Sequence, residues 1–598
     1  MSDDNRDKWR RLPKISFDSK TLKKRMRKVE GATVKHAHKF IVKRWANIRD
    51  VQSRIILWIL AIGLLIAATG LQLMWYQQSY KTTTLSTNGT YAEAVLGPVD
   101  TLDPIFADTS AEQSASYLMF SRLLSYDKSG HLNYDLVRDI ETNQTKTTYK
   151  VTIRSDAKWH DGAKLTAKDI AFTVGLINDQ NTRSSITGWQ NVTVKVLSDT
   201  KIEFNLKSTF APFEHALTFP ILPEHILGKV SPINLRENDF SQGPIGSGPF
   251  KLQFVQDTSS NSGRKVVYMV RNDDYYGSKP KLERFQLHVY DTTDSILRAL
   301  SMNEVNAAAD LSSTDLEHAN SDRYNISTKS IDSGVYVMLN TKSLMLGDKD
   351  MRRALQLATN TSEIRNKLPK GVLALDLPFV KNQVYGALPT VPAYDKVAAA
   401  KSLDEKGWKL NGKNVREKDG KTLKLSVVTI KDSELEKVLE NLVGQWRSLG
   451  VVVETQVVDL SDTSQNAAQS VLQPRNFDAL LYRLNIGADP DVYNYWHSSQ
   501  TKSDGYNFSN YSSVISDDAL SSARARTEID LRSAKYITFA KQWVADVPAI
   551  GLYQSTMQYV SSKNVQALDK DSTLVSSIDR YNNILDWSAG KRDVYQTP

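Results

Sequence analysis

The chain has 598 residues and no cysteine. This absence excludes disulfide bonds, a thiol nucleophile, and zinc or iron–sulfur sites held by cysteines. It also excludes attachment to a membrane through an acylated cysteine, as in bacterial lipoproteins. There are only nine histidines, none in an HExxH pattern, and no G-x-S-x-G motif occurs. The sequence therefore predicts no catalytic residue, metal site or cofactor, and we expect the protein not to be an enzyme.

Two short sequences resemble functional motifs but favour a structural interpretation. His160 and Asp161 look like a catalytic dyad, yet adjacent strand residues point to opposite faces and a turn follows at Gly162. The loop at residues 243–249, GPIGSGP, combines three glycines with two prolines, which indicates a sharp change of chain direction. No Lys-Ser/Thr pair follows it, so it does not match a phosphate-binding loop.

Positive charge is concentrated at the N-terminus. Residues 1–54 contain 17 Lys and Arg and 6 Asp and Glu, a net charge of +11, whereas the whole chain carries +9. The remaining residues are therefore nearly neutral, which argues against a nucleic-acid-binding domain. We interpret the basic segment as a cytoplasmic tail that sets membrane topology and is attracted to anionic lipid. A specific cytoplasmic partner or an RNA contact is the alternative for this tail.

A single long apolar segment follows the basic tail. Residues 55–76 read IILWILAIGLLIAATGLQLMWY and contain no charged side chain. At about 1.5 Å per residue, these 22 residues are long enough to cross a hydrocarbon core of about 30 Å. The basic flank predicts a cytoplasmic N-terminus and an extracytoplasmic C-terminal part. The alternative is a cleaved signal peptide, but the basic region before the apolar run is longer than such peptides carry.

After a polar segment at residues 77–89, predicted to be a linker, the chain has the pattern of an α/β or α+β domain. Short runs rich in β-branched and aromatic residues predict strands, and segments of helical periodicity lie between them. The predicted strands lie at residues 91–96, 148–153, 192–196, 201–206, 266–270 and 285–289. The predicted helices lie at residues 112–124, 167–177, 295–302, 350–359, 397–405, 433–449 and 531–546.

The domain closely resembles the family 5 extracellular solute-binding proteins, the dipeptide- and oligopeptide-binding components of ABC importers. The resemblance covers residues 90 to about 575 and rests on a dozen short blocks in the expected order. They include LDP (102–104), TYKVTIR (148–154), KWHDG (158–162), PIGSGPF (244–250), ADPD (488–491) and DVPAIGLY (546–553). It implies a periplasmic-binding-protein-like fold of type II, cluster C, after an N-terminal transmembrane helix. One lobe would comprise residues 90–330 with the returning segment 556–598, and the other residues 331–555.

The resemblance also implies a position for the ligand amine. A cationic amine enclosed between two lobes needs a carboxylate partner, because an unpaired buried charge costs several kcal/mol. In the peptide-binding members this partner is an aspartate after a Phe-Asp strand. Asp489 is the closest positional match here and Asp491 the second. The alternatives are a turn residue that caps the following helix, for Asp489, and a solvent-facing residue, for Asp491.

Other residues of the same region are weaker candidates. Tyr493, Tyr495 and Trp496 would offer flat apolar walls to ligand side chains, unless they belong to the core of a lobe. Arg483 or Arg352 would receive the ligand carboxylate, a suggestion that rests on charge alone. For Arg352 the alternative is a surface residue at the start of a helix.

From these observations we expect a membrane-anchored, monomeric protein that captures short peptides outside the cytoplasm for an ABC permease and ATPase complex. It would bind no nucleic acid. One alternative keeps the scaffold but changes the ligand to a nickel chelate, haem, an opine or an oligosaccharide. The other is a membrane-anchored sensor or scaffold that signals through its cytoplasmic tail.

Overall fold

The computed structural model describes residues 48–85, 88–257, 264–312, 315–318, 323–460 and 466–595. The chain divides into two compact units, residues 1–84 with 593–598, and residues 85–592. The basic tail up to residue 47 lies outside the described residues, and with it the predicted lipid or partner contacts.

The first unit contains the helix Ile48–Tyr80. Within it, Gln52–Trp75 is long and apolar enough to cross a membrane by length and composition. The helix extends past both ends of the predicted span, because helical hydrogen bonding continues through polar residues that hydropathy excludes. The segment predicted as a linker thus contains the end of this helix and the strand Lys81–Leu85, which pairs with Lys591–Tyr595.

The second unit is built on a ten-stranded mixed sheet. Its two longest strands, Tyr324–Leu339 and Ala549–Ser562, pair antiparallel at the centre, and we call them the crossing strands. From edge to edge the strands are Val452–Val458, Lys424–Ile430, Ala479–Asn485, Tyr324–Leu339, Ala549–Ser562, Ala307–Leu311, Thr90–Leu96, Arg284–Tyr290, Lys265–Arg271 and Phe250–Asp257.

Smaller sheets and helices surround this sheet. A separate antiparallel sheet has the strand order Val137–Thr142, Thr148–Ile153, Lys201–Leu206 and Val192–Ser198. Three further short sheets pair Leu124–Tyr126 with Leu132–Tyr134, Val565–Gln566 with Ser588–Ala589, and Lys409–Leu410 with Arg416–Lys418 and Lys421–Thr422. The α-helices are Ser110–Met119, Ala167–Asn178, Phe213–Ala216, Glu224–Leu227, Thr293–Ser301, Lys349–Leu357, Thr361–Asn366, Lys396–Glu405, Ser433–Arg447, Tyr493–Trp496, Val514–Arg524 and Ile529–Asp546.

The buried apolar residues form four clusters. Two of them draw on residues 91–324 and 557–587, and the other two draw on residues 335–553. Both crossing strands contribute to clusters on each side, for example through Tyr559 on one side and Tyr553 on the other. The lobe boundaries expected from the resemblance, near residues 330 and 555, fall inside these two strands. Hereafter the part built on residues 91–324 is called the first lobe and the part built on residues 335–553 the second lobe.

His160 holds the glycine-rich loop in place, in agreement with the structural interpretation. Its Nδ1 accepts a hydrogen bond from the Gly246 N–H at 3.2 Å, and its Nε2 lies 3.1 Å from the Gly248 carbonyl oxygen. Because Nδ1 is the acceptor, Nε2 carries the proton and donates. Burial lowers the pKa of His160 to about 4, so the neutral ring persists at neutral pH.

Candidate ligand-binding site

The segment that carries the predicted site follows the strand Ala479–Asn485 and is attached to a crossing strand. The carbonyl oxygen of Asp332 accepts hydrogen bonds from the N–H groups of Ile486 and Gly487, both at 2.9 Å. Gly487 has a positive φ of 79°, which glycine adopts without strain, and its carbonyl accepts from Gln383 Nε2 at 2.6 Å. These bonds place residues 486–489 directly beside the bend of the crossing strand.

Asp489 forms a two-pronged ion pair with Arg532. Its two carboxylate oxygens accept from Nη1 and Nη2 at 2.8 and 2.7 Å, and the side chains are only 11% and 14% exposed. Arg532 also donates to the Ala523 carbonyl and to the Tyr536 hydroxyl, both at 3.2 Å. Asp489 does not cap the next helix, which begins after Val492 without a side-chain cap. The carboxylate is therefore fixed in orientation by an arginine 43 positions along the chain.

Asp491 is paired with Arg524 and its side chain is only 11% exposed, so the solvent-facing alternative is wrong. Arg524 Nε lies 3.1 and 2.9 Å from the two carboxylate oxygens, and Nη2 lies 2.8 Å from one of them. Burial raises the pKa of Asp491, although Arg524 opposes the shift.

Arg524 also connects the two lobes. Its guanidinium lies 4.1 Å from the ring centre of Tyr493 and 5.2 Å from that of Phe210, which belongs to the first lobe. The Ala211 N–H donates to the Arg524 carbonyl at 2.8 Å. The Asp491–Arg524 pair is thus placed where the lobes touch.

The three aromatic candidates occupy different environments. Tyr493 is half-buried and stacks on His497 with ring centres 4.0 Å apart, and the Tyr495 hydroxyl donates to the Asn485 carbonyl at 2.6 Å. Trp496 is fully buried between Tyr336 and Trp543, in the core of the second lobe. It follows Val492 by one helical turn, so both side chains point into the same core. The structure therefore places Trp496 away from the cleft surface, contrary to its predicted role as a ligand wall.

The structure does not bring Arg483 together with Asp489. Arg483 lies near Asp432 and Glu434, at 3.5 and 3.4 Å, on the sheet face covered by the helix Ser433–Arg447. The helix that carries Arg532 covers the opposite face, because it packs against Tyr336 and Leu480 rather than against their neighbours Val335 and Leu481. Alternate residues of a strand point to opposite faces, so Arg483 lies on the side of the sheet away from the helix that carries Arg532.

The suggested role of Arg352 in binding a ligand carboxylate is wrong, and Arg352 is not a surface residue either. Its guanidinium is buried and, among the described residues, donates only to backbone carbonyls, those of Leu346, Gly347, Asp546 and Val547, at 2.6 to 3.1 Å. It satisfies the carbonyls at the end of the helix Ile529–Asp546, which would otherwise lack partners.

Two first-lobe residues that the sequence did not single out, Tyr126 and His215, lie near enough to Asp489 for its charge to raise their pKa values. The Tyr126 hydroxyl and His215 Nδ1 lie 2.9 Å apart. Burial raises the pKa of Tyr126, and the carboxylates of Asp579, Asp489 and Asp332 raise it further. Burial lowers the pKa of His215, against the opposing effect of Asp489. We call Tyr126, His215, Asp332, Asp489 and Arg532 the interlobe cluster, since it combines side chains from both lobes and from a crossing strand.

The cluster combines acceptors, donors and aromatic surface, an arrangement that suits binding. Within the described residues, no group of three or more His, Asp or Glu side chains is placed to hold a metal ion. The sequence of residues 131–507 matches the family model for bacterial extracellular solute-binding proteins, family 5, middle region. The chain belongs to this family.

Relatives of this family 5 solute-binding protein cover most of its length. The oligopeptide-binding protein AppA of Bacillus subtilis is 28% identical over 492 residues, which are 79% of this chain and 87% of AppA. The crystal structure of AppA in complex with a nonapeptide has a TM-score of 0.69 at 24% identity and covers 85% of this chain and 100% of AppA. NikZ of Campylobacter jejuni, solved with Ni(L-His), has a TM-score of 0.71 at 23% identity, covering 83% and 99%.

These likenesses establish the fold of this family 5 protein. It has the two-lobed, periplasmic-binding-protein-like α/β fold that the resemblance implied. Since the structural neighbours differ in their ligands, one holding a nonapeptide and another a nickel complex, the fold alone does not select the ligand.

Proposed function

We propose that this protein is a membrane-anchored binding protein outside the cytoplasm that captures short peptides for an ABC importer. Its fold would be the type II, cluster C form, with the ligand enclosed between the lobes. The observation that carries the proposal is the position of Asp489. Arg532 fixes its carboxylate in the second lobe, and the charge of this carboxylate raises the pKa values of Tyr126 and His215 in the first lobe. Relatives named as oligopeptide-binding proteins support peptides as the ligand class.

The chemistry of the cluster suits the amine end of a peptide. An ammonium group needs acceptors in a site from which water is excluded, and Asp489 supplies two oxygens already oriented by Arg532. The backbone of an extended peptide can pair with the protein main chain, which accounts for tolerance of different side chains. A micromolar dissociation constant needs about 8 kcal/mol, which several main-chain bonds and one enclosed ion pair can supply.

The proposed anchor is the helix Ile48–Tyr80. Its apolar part, Gln52–Trp75, contains no charged residue after Arg54, and the basic tail precedes it. By the positive-inside rule the tail stays in the cytoplasm and the lobes lie outside. Tethering beside the permease would raise the effective concentration of loaded protein there, so that moderate affinity suffices.

The test is ligand-dependent thermal unfolding of the detergent-purified full chain against a library of di- to pentapeptides. We expect peptides to raise the melting temperature, and Asp489→Asn to weaken their binding at least tenfold, because the amine loses a carboxylate acceptor and the positive charge of Arg532 is left uncompensated beside it. The matched control is Asp156→Asn, since Asp156 also accepts two hydrogen bonds from one arginine, Arg154, at 2.7 and 2.9 Å, but on the surface of the first lobe. A chain that no peptide stabilises would contradict the proposal, and unchanged affinity in Asp489→Asn would remove Asp489 from the site.

A further inference from the structure

Asp332 lies at the bend of a crossing strand, where the pairing register shifts between Ser330 and Gly334. Its N–H donates to the Val575 carbonyl at 3.0 Å, and its carbonyl holds Ile486 and Gly487. The backbone of Asp332 therefore connects the C-terminal segment with the segment that presents Asp489. Its side chain is half-buried at this junction.

The two aspartates that the sequence singled out each form an ion pair with an arginine. Asp489 is paired with Arg532, and Asp491 with Arg524. The carboxylate of Asp332 has no hydrogen-bond or ion-pair partner within the part of the chain that the structure describes. The ionisable groups that interact with it electrostatically are Tyr126, from the first lobe, and Asp579, from the C-terminal segment, and neither is positively charged. Arg532, the cation of the interlobe cluster, is already paired with Asp489.

We propose that Asp332 supplies the uncompensated negative charge that binds the cationic amine of the ligand, next to the neutral Asp489–Arg532 pair. This inference rests on the proposed function and adds the residue that selects for a free amine. Asp489 and Arg532 together have no net charge, so they offer a cation hydrogen bonds but little long-range attraction. A partly buried carboxylate without a partner attracts a cation more strongly, because less water screens it.

The titration of Asp332 makes the proposal measurable. Burial, with a smaller contribution from Asp579, raises the pKa of Asp332 to about 7. An ammonium group favours the ionised carboxylate, so affinity for an amine must rise as the pH approaches 7 and Asp332 loses its proton. A peptide amine stays protonated over this range, since its ordinary pKa is about 8.

The first experiment compares the wild-type full chain in detergent with Asp332→Asn, using the di- to pentapeptide library and its N-acetylated counterpart. We expect the substitution to weaken binding of free-amine peptides at pH 7.0 at least tenfold and to leave N-acetylated peptides unaffected. Wild-type affinity for free-amine peptides should rise about tenfold between pH 5.5 and 7.0, and the variant should lose this dependence. Asp156→Asn, the same change in a surface ion pair, should behave as wild type.

The second experiment needs no ligand. Because Asp332→Asn removes a buried charge without a partner, it should raise the melting temperature at pH 8.5 and leave it nearly unchanged at pH 3.5, which lies below the pKa of the aspartate in the folded chain and in the unfolded chain. An equal shift at both pH values would show that the charge is already compensated and would overturn the inference. Peptides that bind wild type and the variant alike would also overturn it, while the proposed function would stand. If no peptide bound the wild-type chain, the proposed function would fail, and this inference with it.

Discussion

Buried carboxylates in this chain are of two kinds, those with an arginine partner and those without. Glu93 is of the first kind, since it lies 2.9 Å from the guanidinium of Arg580 and both side chains are fully buried. Asp103 is of the second kind. One of its oxygens accepts the Ile105 N–H at 3.1 Å, and the other has no hydrogen-bond partner among the described residues. Burial raises the pKa of Asp103 to about 7.

Asp103→Asn should therefore change how stability depends on pH. The pKa of Asp103 in the folded protein lies above the value of 3.8 in the unfolded chain. The protonated form thus contributes stability at low pH that is lost as the pH rises through 7. Asparagine keeps the acceptor for Ile105 and cannot ionise. The difference in unfolding free energy between variant and wild type should therefore shift in favour of the variant by on the order of 4 kcal/mol between pH 4 and pH 8. Urea unfolding at both pH values measures this, and a constant difference would refute it.

At the scale of elements, the glycine-rich loop shows how close packing constrains composition. The carbonyl oxygen of Met119, at the end of the helix Ser110–Met119, accepts hydrogen bonds from the N–H groups of Ser247 and Gly248 at 3.0 and 2.8 Å. A Cβ atom on Gly246 would lie 1.9 Å from the same oxygen. The loop can press against the helix end only because this side chain is absent.

Gly246→Ala should lower the unfolding free energy by roughly 3 kcal/mol or more, since the loop or the helix end must move and their hydrogen bonds lengthen. Gly243→Ala in the same loop is the control. There the nearest atom would be the Asp239 carbonyl oxygen at 3.8 Å, an ordinary contact, so the change should stay within about 1 kcal/mol. Equal losses in the two variants, measured by urea unfolding, would show that the contact with Met119 is unimportant.

At the scale of the whole molecule, the C-terminal segment completes the first lobe. Tyr581 and Trp587 are fully buried in the same core as Tyr91, from the first strand of the sheet. Arg580 joins them through Glu93, 487 positions earlier, and also donates to Ser114 at 2.7 Å. The core of the lobe is therefore incomplete without residues 580–587.

Arg580→Met should lower the unfolding free energy by about 3–5 kcal/mol, because it leaves Glu93 buried without a cation. The double variant with Glu93→Gln should recover part of this loss, since no unpaired charge remains. Lys281→Met is the control, because Lys281 also pairs with the C-terminal segment, through Asp586 at 2.8 Å, but at the surface. Its loss should stay below about 1 kcal/mol. A loss as large as that of Arg580→Met would mean that the contact itself matters and that burial does not.

Sequence periodicity predicted the elements better than it predicted the site. The helix expected at residues 433–449 is observed at Ser433–Arg447, with Asp432 as its cap. Hydropathy and charge likewise located the long apolar helix. At the site, the sequence singled out Asp489 and Asp491 but not the arginines that hold them. Trp496 and Arg352 were candidates only because aromatic and cationic residues suit ligands, and both are structural.

The sequence by itself determined those properties that neighbouring residues share. They are the apolar span, the charge asymmetry, the alternation of strands and helices, and the turns that need glycine. Periodicity and composition act over a few residues, so they can be read from a short stretch of chain. Only the tertiary structure decided which charges are compensated, because Asp489 meets an arginine 43 positions away while Asp332, at the bend between the lobes, meets none within the described residues. The charge of a cleft is the sum over side chains that the fold brings together from distant parts of the sequence.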